Sequence, residues 1–422
     1  MKKQIIKLYY FFKSEKVAKY TVEISIYVAI TIAISFIMPG DLFSTTISTM
    51  IGFVLSSFLL RIIKLLFGFL EDKIKVSGDT KELLSIYHAD KSYKKTVILN
   101  GTQRDFIYHE VYMNKGEYEL DVIDDENKHF ELDDLIVNCF LDLYSIHGRS
   151  TKNNEDTIRL DSVRLCNGKM TFFTSRSNFF NHLVTNRAID YKLMDNLRLR
   201  DVYEYGPYLK PLENSKFSNH IGINALVFLK GNILLIPKRK GDSTISKLCV
   251  TSSIATRLQF PKNGGKIDRD FMFHQNIIDS LETRLKIDLN KLDESRVSVD
   301  FLGVGQNIYE GGKPQAYFAV QLDYDSSEYS LLLEDYETIK MKSQKEGTID
   351  RDGRIYLACL DSMKFVSNEL IEFEYVNEVI YKQEKKIVYP KMKNTGKKMK
   401  KRKIQTGYEK YYMINFWHYF NK

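Results

Sequence analysis

Cysteine is scarce in this 422-residue sequence, which contains only Cys139, Cys166, Cys249 and Cys359. They are widely separated, and no CxxC pair or Cys/His cluster is present. This spacing argues against a zinc site, because structural zinc needs closely spaced thiolate and imidazole ligands. Four isolated cysteines are also typical of a reduced compartment, where each side chain packs as a small apolar group. No metal and no cofactor is expected.

Proline and glycine are also few, with 7 and 22 residues, so long flexible linkers are not expected. Hydrophobic residues make up 44% of the chain and aromatic residues 13%, which is enough to form packed cores. The net charge of +8 is concentrated in a lysine-rich N-terminus and a late basic run. This distribution does not indicate a uniformly basic nucleic-acid-binding body, and no DNA or RNA polymer is expected as a partner.

Charged residues are absent from two long segments near the N-terminus, Ile24–Met38 and Leu42–Leu60, which are separated by Pro39-Gly40-Asp41. Helices of about 18 to 20 residues match a hydrocarbon core of about 30 Å. Lysines precede the first segment and basic residues follow the second, which indicates cytoplasmic ends. The sequence therefore predicts a basic N-terminus over 1–20 and an α-helical two-pass transmembrane hairpin over 21–70. A cleaved signal peptide and a buried soluble hairpin are the alternatives.

Small residues recur at every fourth position in both apolar segments, a spacing that allows close helix packing in lipid. They are Ser25, Ala29, Ala33, Ser44, Ser48, Gly52 and Ser56. Packing of the two helices within one hairpin and packing between protomers are both compatible with this pattern.

The sequence that follows residue 70 predicts an α+β middle region over 71–214 and a second module over 215–385. Asn167-Gly168 is a strong signal for a two-residue β-hairpin turn. In the second module the order is a β-hairpin, a loop, a helix, a second β-hairpin, a strand and a helix. The predicted elements are strands Ile223–Leu229, Ile233–Arg239, Val297–Val304, Ala316–Leu322 and Ile355–Cys359, and helices Phe271–Ile287 and Met363–Glu372.

This order, with VFLKGNILLIPKRKG first and FMFHQNIIDSLETRLKI later, resembles the NUDIX fold over about residues 218–375. The resemblance implies a C-terminal NUDIX-like α/β/α sandwich with a mixed sheet. Active NUDIX hydrolases carry helix glutamates that hold Mg²⁺ against a pyrophosphate. In this sequence the matching positions hold Ser280, Thr283 and Arg284, while Glu282 lies off-register. The resemblance therefore implies a NUDIX-like module that has lost catalysis, and the chain is not expected to be an enzyme.

Two membrane helices followed by a degenerate NUDIX module resemble the effectors of CBASS, the bacterial antiphage cyclic-oligonucleotide system, whose module is the SMODS-associated NUDIX domain. The segment Leu209–His220 also looks like the entry segment of that family. The resemblance implies that a cyclic di- or trinucleotide second messenger binds the module, that a homo-oligomer assembles, and that the lipid bilayer of the bacterial inner membrane is disrupted. A membrane-tethered NUDIX hydrolase of a nucleotide diphosphate derivative and a passive membrane scaffold are the alternative hypotheses.

Basic and hydroxyl side chains in the module are the candidate phosphate ligands, since they form charge-assisted hydrogen bonds with phosphodiesters. They are Lys238, Arg239, Ser252, Ser253, Thr256, Arg257 and Arg284, with Tyr309 and Tyr317 as candidate base-stacking residues. A solvated turn for the basic cluster, a core position for Tyr317 and pairing of Arg284 with Glu282 or Asp288 are the alternatives.

A basic and aromatic C-terminal tail is predicted over 386–422. Lys391–Lys403 is a dense cationic run, compatible with a solvated tail or with contact to anionic lipid. Tyr408–Phe420 is rich in aromatic residues, which must be buried or lie at an interface.

Overall fold

The computed structural model describes most of the chain beyond residue 79. The described residues are 80–88, 93–140, 143, 154–192, 197–239, 249–261, 266–346, 354–367, 370–384, 387–404 and 409–422. The predicted basic N-terminus 1–20, the predicted hairpin 21–70 and its seven small packing residues lie outside this part of the chain.

Fifteen strands and eight α-helices lie in the described residues. The strands are β1 (Lys94–Leu99), β2 (Thr102–Ile107), β3 (His109–Met113), β4 (Glu119–His129), β5 (Asp156–Cys166), β6 (Lys169–Asn178), β7 (Gly222–Leu229), β8 (Ile233–Lys238), β9 (Ile254–Arg257), β10 (Val297–Asn307), β11 (Lys313–Leu322), β12 (Arg354–Cys359), β13 (Lys364–Ser367), β14 (Leu370–Glu384) and β15 (Ile387–Lys403). The helices are α1 (Thr80–Ile86), α2 (Asp134–Asn138), α3 (Phe179–Val184), α4 (Leu199–Tyr203), α5 (Asn276–Leu285), α6 (Ser326–Leu332), α7 (Tyr336–Glu346) and α8 (Glu409–Phe420).

A ten-stranded mixed sheet organises these elements. Its strand order is β13-β14-β12-β8-β7-β11-β10-β3, with β15 pairing with β14 and β9 pairing with β7. The pair β7–β11 is parallel, and the other pairs in this sheet are antiparallel. A separate three-stranded sheet has the order β4-β6-β5, and β1 pairs with β2 alone.

Each face of the large sheet carries its own apolar core, because successive side chains of a strand point to opposite faces. On one face, Ile223 and Val227 of β7 pack with Leu281 of α5 and with Phe172 of the three-stranded sheet. On the other face, strand residues pack with β1, β2 and α8, including Trp417. The sheet therefore separates two surfaces that a single compact ligand cannot contact together.

Several predicted turns and strands are confirmed. β7 and β8 form the predicted hairpin, and Gly231 and Asn232 both adopt positive φ in its turn. Asn167 and Gly168 likewise adopt positive φ between β5 and β6, as a type I′ turn requires. These signals are local, so the sequence predicts them well.

The predicted fold class is wrong. The sequence predicts a transmembrane helical hairpin, an α+β region and an α/β/α sandwich, whereas the described chain is built mainly of β-strands around one large sheet. The predicted two-pass inner-membrane localisation is not supported either, because no helix among the described residues is both long enough and apolar enough to cross a bilayer.

Two further predicted segments are strands instead. Met363–Glu372 was expected as a helix but contains β13 and the start of β14. Phe365, Ile371 and Phe373 of these strands are buried, and Ile371 and Phe373 alternate with half-buried positions, as a strand predicts. Lys391–Lys403, expected in a tail, belongs to β15, which pairs with β14 along its length. The middle region also supplies β3 to the large sheet, so it is joined to the second module.

A glycine in β10 permits a bulge at which the register with β11 shifts. Gly303 has φ +156°, and a Cβ at this position would lie 2.5 Å from the Tyr112 carbonyl oxygen. We expect Gly303→Ala to lower the free energy of unfolding by about 2 kcal/mol, since overpacking against backbone costs about 1 to 3 kcal/mol. Urea denaturation measures the effect. Gly101→Ala is the control for backbone strain, because Gly101 also has a positive φ, +76°, but its Cβ would have no atom within 4 Å. Gly303→Ala should therefore lose more stability than Gly101→Ala, and an equal loss in both variants would contradict the prediction.

Candidate phosphate-binding sites

Helix α5 carries hydroxyl and guanidinium groups where the NUDIX resemblance implies metal-binding glutamates. Ser280 is buried, and its hydroxyl donates to the Asn276 carbonyl oxygen at 2.7 Å. Thr283 donates to the Asp279 carbonyl oxygen at 3.2 Å. Arg284 is half-buried, and its Nη2 donates to Thr256 Oγ1 on β9 at 2.9 Å. None of these three positions supplies an oxygen anion that a hard cation needs.

The nearest acid on this helix is already neutralised. Lys342 of α7 places its Nζ 2.5 Å from a carboxylate oxygen of Glu282 and 2.5 Å from one of Glu334. Glu334 is 2% exposed, so this lysine compensates a buried negative charge as well as Glu282. No group of three or more His, Cys, Asp or Glu side chains that could hold a metal ion is present among the described residues.

Thr256 and Arg284 are the two predicted ligands that the structure brings together. They meet on the α5 face of the sheet, where Ile254 of the same strand is also buried. The next residue, Arg257, points to the opposite face because side chains alternate along β9. Arg257 pairs with Glu155 and lies over the Phe179 ring, 5.6 Å from its centroid. Arg257 therefore does not extend the Thr256–Arg284 site.

The two predicted serine ligands are structural. Ser253 donates to the Leu235 carbonyl oxygen at 2.5 Å and accepts from the Val227 amide at 2.9 Å, so it joins β7 to β8. Ser252 accepts a hydrogen bond of 2.5 Å from Asn415 of α8. Both serines are at most 2% exposed. Their hydroxyls hold strands and a helix together, and the prediction that they bind phosphate is wrong.

Tyr309 and Tyr317 are core residues, so the prediction that they stack on bases is also wrong. Tyr317 is fully buried, stacks on the His418 ring at a centroid distance of 4.5 Å and meets Tyr108 edge-on at 5.8 Å. Tyr309 is 1% exposed and packs in an apolar cluster with Tyr87. A tyrosine beside a hairpin turn is ambiguous in sequence, because the turn can face solvent or another element.

Lys238 belongs to a second group of cations on the face opposite α5. Arg354 of β12 is its direct cross-strand neighbour, and Lys400 and Arg402 of β15 approach from the strand beyond β14. Burial, followed by repulsion from Arg402, Arg354 and Lys400, lowers the pKa of Lys238. We call Lys238, Arg354, Lys400 and Arg402 the cation cluster. Arg239 donates its backbone amide to the Cys249 carbonyl oxygen at 2.9 Å and is not part of this group.

The sequence analysis missed three members of the cation cluster, because they lie at least 116 residues beyond Lys238. Lys400 and Arg402 are two residues apart, which is the spacing of side chains on one face of a strand. Had the basic run been interpreted as a strand, this alternation would have identified them. Arg354 carried no such signal, since its neighbour in space is set by the pairing of β12 with β8.

A third polar group is buried near the starts of β7 and β11. Glu310 pairs with Arg187 at 2.9 Å and with Lys313 at 3.7 Å. Burial lowers the pKa of Lys313 to about 8. The rings of His182 and His220 lie 3.7 Å apart, and burial holds the pKa of His220 well below its usual value. The Glu310 carboxylate pairs with both cations, so we interpret this group as structural.

Comparison with known proteins adds little to this description. No protein-family model matches the chain, and no curated protein matches it. One solved structure that it resembles is that of DR0079 from Deinococcus radiodurans, with 14% sequence identity and a TM-score of 0.18. The match covers 25% of this chain and 57% of DR0079. A likeness this low supports no conclusion about fold or function.

Proposed function

We propose that this chain is an antiphage sensor of the CBASS type that binds a cyclic di- or trinucleotide without hydrolysing it. The observation that carries the proposal is the chemistry of α5 and β9. Arg284 donates to Thr256, and the NUDIX resemblance aligns Arg284 with a metal-binding glutamate of active enzymes. The neighbouring acid, Glu282, is held by Lys342.

This exchange of charge favours binding over cleavage. A guanidinium group repels a divalent cation and donates paired hydrogen bonds to phosphate oxygens. The site therefore favours a phosphodiester bound directly over a pyrophosphate bound through a metal ion. Without a metal-bound water, the site lacks the nucleophile that hydrolysis of a pyrophosphate needs. Ligand binding would favour a homo-oligomer to the extent that the ligand binds the assembled state more tightly than the single chain.

The proposal is tested by calorimetric titration of the full chain against a panel of cyclic di- and trinucleotides. We expect one of these ligands to bind, and Arg284→Glu to weaken its binding at least about tenfold, because a hydrogen bond to a charged group contributes about 1.5 to 3 kcal/mol. Arg269→Glu is the matched control. Arg269 is exposed on the segment before α5, 3.9 Å from Glu119, and its replacement should leave the affinity unchanged.

Two outcomes would contradict the proposal. The first is the absence of binding to every cyclic nucleotide in the panel. The second is Mg²⁺-dependent hydrolysis of a nucleotide diphosphate derivative that Glu282→Gln abolishes, which would support the alternative of a NUDIX hydrolase.

A further inference from the structure

The cation cluster lies on β8, β12 and β15 of the large sheet. Lys238 pairs in register with Arg354, Arg354 with Ile380, and Ile380 with Lys391. Directly opposite side chains on antiparallel strands have Cβ atoms about 5 Å apart, so Lys238 and Arg354 are immediate neighbours on one face. Lys400 and Arg402 share this face, since Arg402 reaches the hydroxyl of Tyr356 on β12.

Two arginines of the cluster are held in place by buried partners. Arg402 donates from Nε to the Tyr356 hydroxyl at 2.9 Å, and its guanidinium lies over the Tyr356 ring, 5.2 Å from the centroid. Tyr356 itself is fully buried. Arg354 pairs with Glu378 at 2.9 Å. These contacts fix two guanidinium groups before any ligand arrives, which lowers the entropy lost on binding.

Among the described residues, the cluster carries more positive charge than its neighbours compensate. Glu378, which is 2% exposed, is the carboxylate paired within it. Across the described part of the chain, the side chains of Lys238 and Lys400 form no hydrogen bond and no ion pair. Four half-buried cations around one carboxylate repel one another, and an anion in their midst would offset that repulsion.

The opposite face of β15 shows the contrast. Lys397 pairs with Glu374 at 3.1 Å, and Lys401 pairs with Glu372 at 3.4 Å. Adjacent residues of the same basic run are therefore compensated on one face and uncompensated on the other. Lysines that served only to keep the protein soluble would not differ in ion pairing between the two faces of β15.

We propose that the cation cluster is a binding site for a compact anion bearing a phosphomonoester or phosphodiester group. Its side chains are half-buried, so a small ligand can reach them more readily than a flat or polymeric surface can. Paired guanidinium groups match the geometry of phosphate oxygens. The site lies on the sheet face opposite Thr256 and Arg284, so it is separate from the proposed sensor site and does not rest on it.

Two probes separate the sources of such a phosphate group. Inorganic pyrophosphate tests recognition of phosphate alone, and 3′,3′-cyclic diadenylate tests recognition of a nucleotide phosphodiester. Both are titrated against the full chain by calorimetry at low ionic strength. We expect at least one probe to bind, with an affinity that falls as salt is raised, because exposed charges are screened.

Variants on the two faces of β15 provide the decisive comparison. We expect Lys400→Gln to weaken binding at least tenfold, and Lys401→Gln, its neighbour on the other face, to leave binding unchanged. The side chain of Lys400 forms no ion pair with any residue that the structure describes, so its replacement should preserve folding. Arg402→Gln should weaken binding in the same direction, while Arg284→Glu should leave pyrophosphate binding unchanged.

Equal affinities in the Lys400→Gln and Lys401→Gln variants would overturn this assignment, as would the absence of binding to both probes. Loss of cyclic-nucleotide binding in Arg284→Glu with retained pyrophosphate binding would show that the two sites act separately. The two proposals therefore fail in different experiments: the sensor proposal fails if Arg284→Glu leaves cyclic-nucleotide binding unchanged, and the cation-cluster proposal fails if Lys400→Gln and Lys401→Gln bind equally well.

Discussion

Replacing Arg200 by leucine is expected to lower the free energy of unfolding by about 3 to 5 kcal/mol, because removal of one partner leaves a buried charge uncompensated. Arg200 lies on α4 and is 0% exposed. Its guanidinium donates to both carboxylate oxygens of Asp190, at 2.6 and 2.9 Å. Asp190 is also buried, so its charge would lose its closest partner inside the protein.

The same guanidinium joins three parts of the chain, which adds to the expected loss. It donates to the Tyr87 hydroxyl at 3.1 Å and to the carbonyl oxygens of Ile308 and Tyr309 at 2.9 and 3.3 Å. These acceptors would be left buried without this donor, and each such loss costs about 1 to 3 kcal/mol before the structure relaxes.

Urea denaturation of three variants tests this prediction. Arg198→Leu is the control, since Arg198 is partly exposed and pairs with Asp201 near the surface, so its loss should be smaller. The double variant Arg200→Leu with Asp190→Leu should recover part of the stability, because no charge is then left buried alone. A loss in Arg200→Leu no larger than in Arg198→Leu would contradict the argument.

Glu204 is expected to make the protein less stable as the pH rises from about 4.5 to about 7. Burial raises the pKa of this carboxyl from 4.5 to about 7, although it accepts a hydrogen bond from the Lys210 amide at 3.1 Å. The folded state therefore holds the proton more tightly than the unfolded state. The contribution of Glu204 to the free energy of unfolding is greatest below the unfolded pKa, falls between pH 4.5 and about pH 7, and is constant above that interval. The total loss is about 3 kcal/mol, because each pKa unit corresponds to about 1.4 kcal/mol.

Glu204→Gln isolates this contribution. Glutamine has a similar shape and can still accept from the Lys210 amide, but it has no proton to lose. We expect the variant to be more stable than the parent protein at pH 8 and about equal to it at pH 4.5, as measured by denaturation at several pH values. The exposed Glu213→Gln is the control and should leave the pH profile unchanged. If stability changes with pH in the same way for Glu204→Gln and the parent protein, ionisation of Glu204 does not lower the free energy of unfolding, and the prediction is contradicted.

The predictions that succeeded rest on short-range signals. The turns at Lys230-Gly231-Asn232 and Asn167-Gly168 need residues that tolerate positive φ, and only the local sequence decides that. Helix α5 lies within its predicted range because its apolar residues repeat at helical spacing. The partner of Arg284, by contrast, depends on a flexible side chain, and the structure gives Thr256, 28 residues earlier in the chain, as one hydrogen-bond partner.

The sequence by itself determined the local turns, the span of α5 and the absence of carboxylates at Ser280, Thr283 and Arg284, since each depends on residues within a few positions of one another. The tertiary structure alone decided which side chains meet. Packing between distant segments brought Arg354, Lys400 and Arg402 to Lys238 and buried Tyr317, Ser252 and Ser253. Alternation along β9 separated Arg257 from Thr256. These outcomes depend on contacts between residues far apart in the chain, which no local pattern encodes.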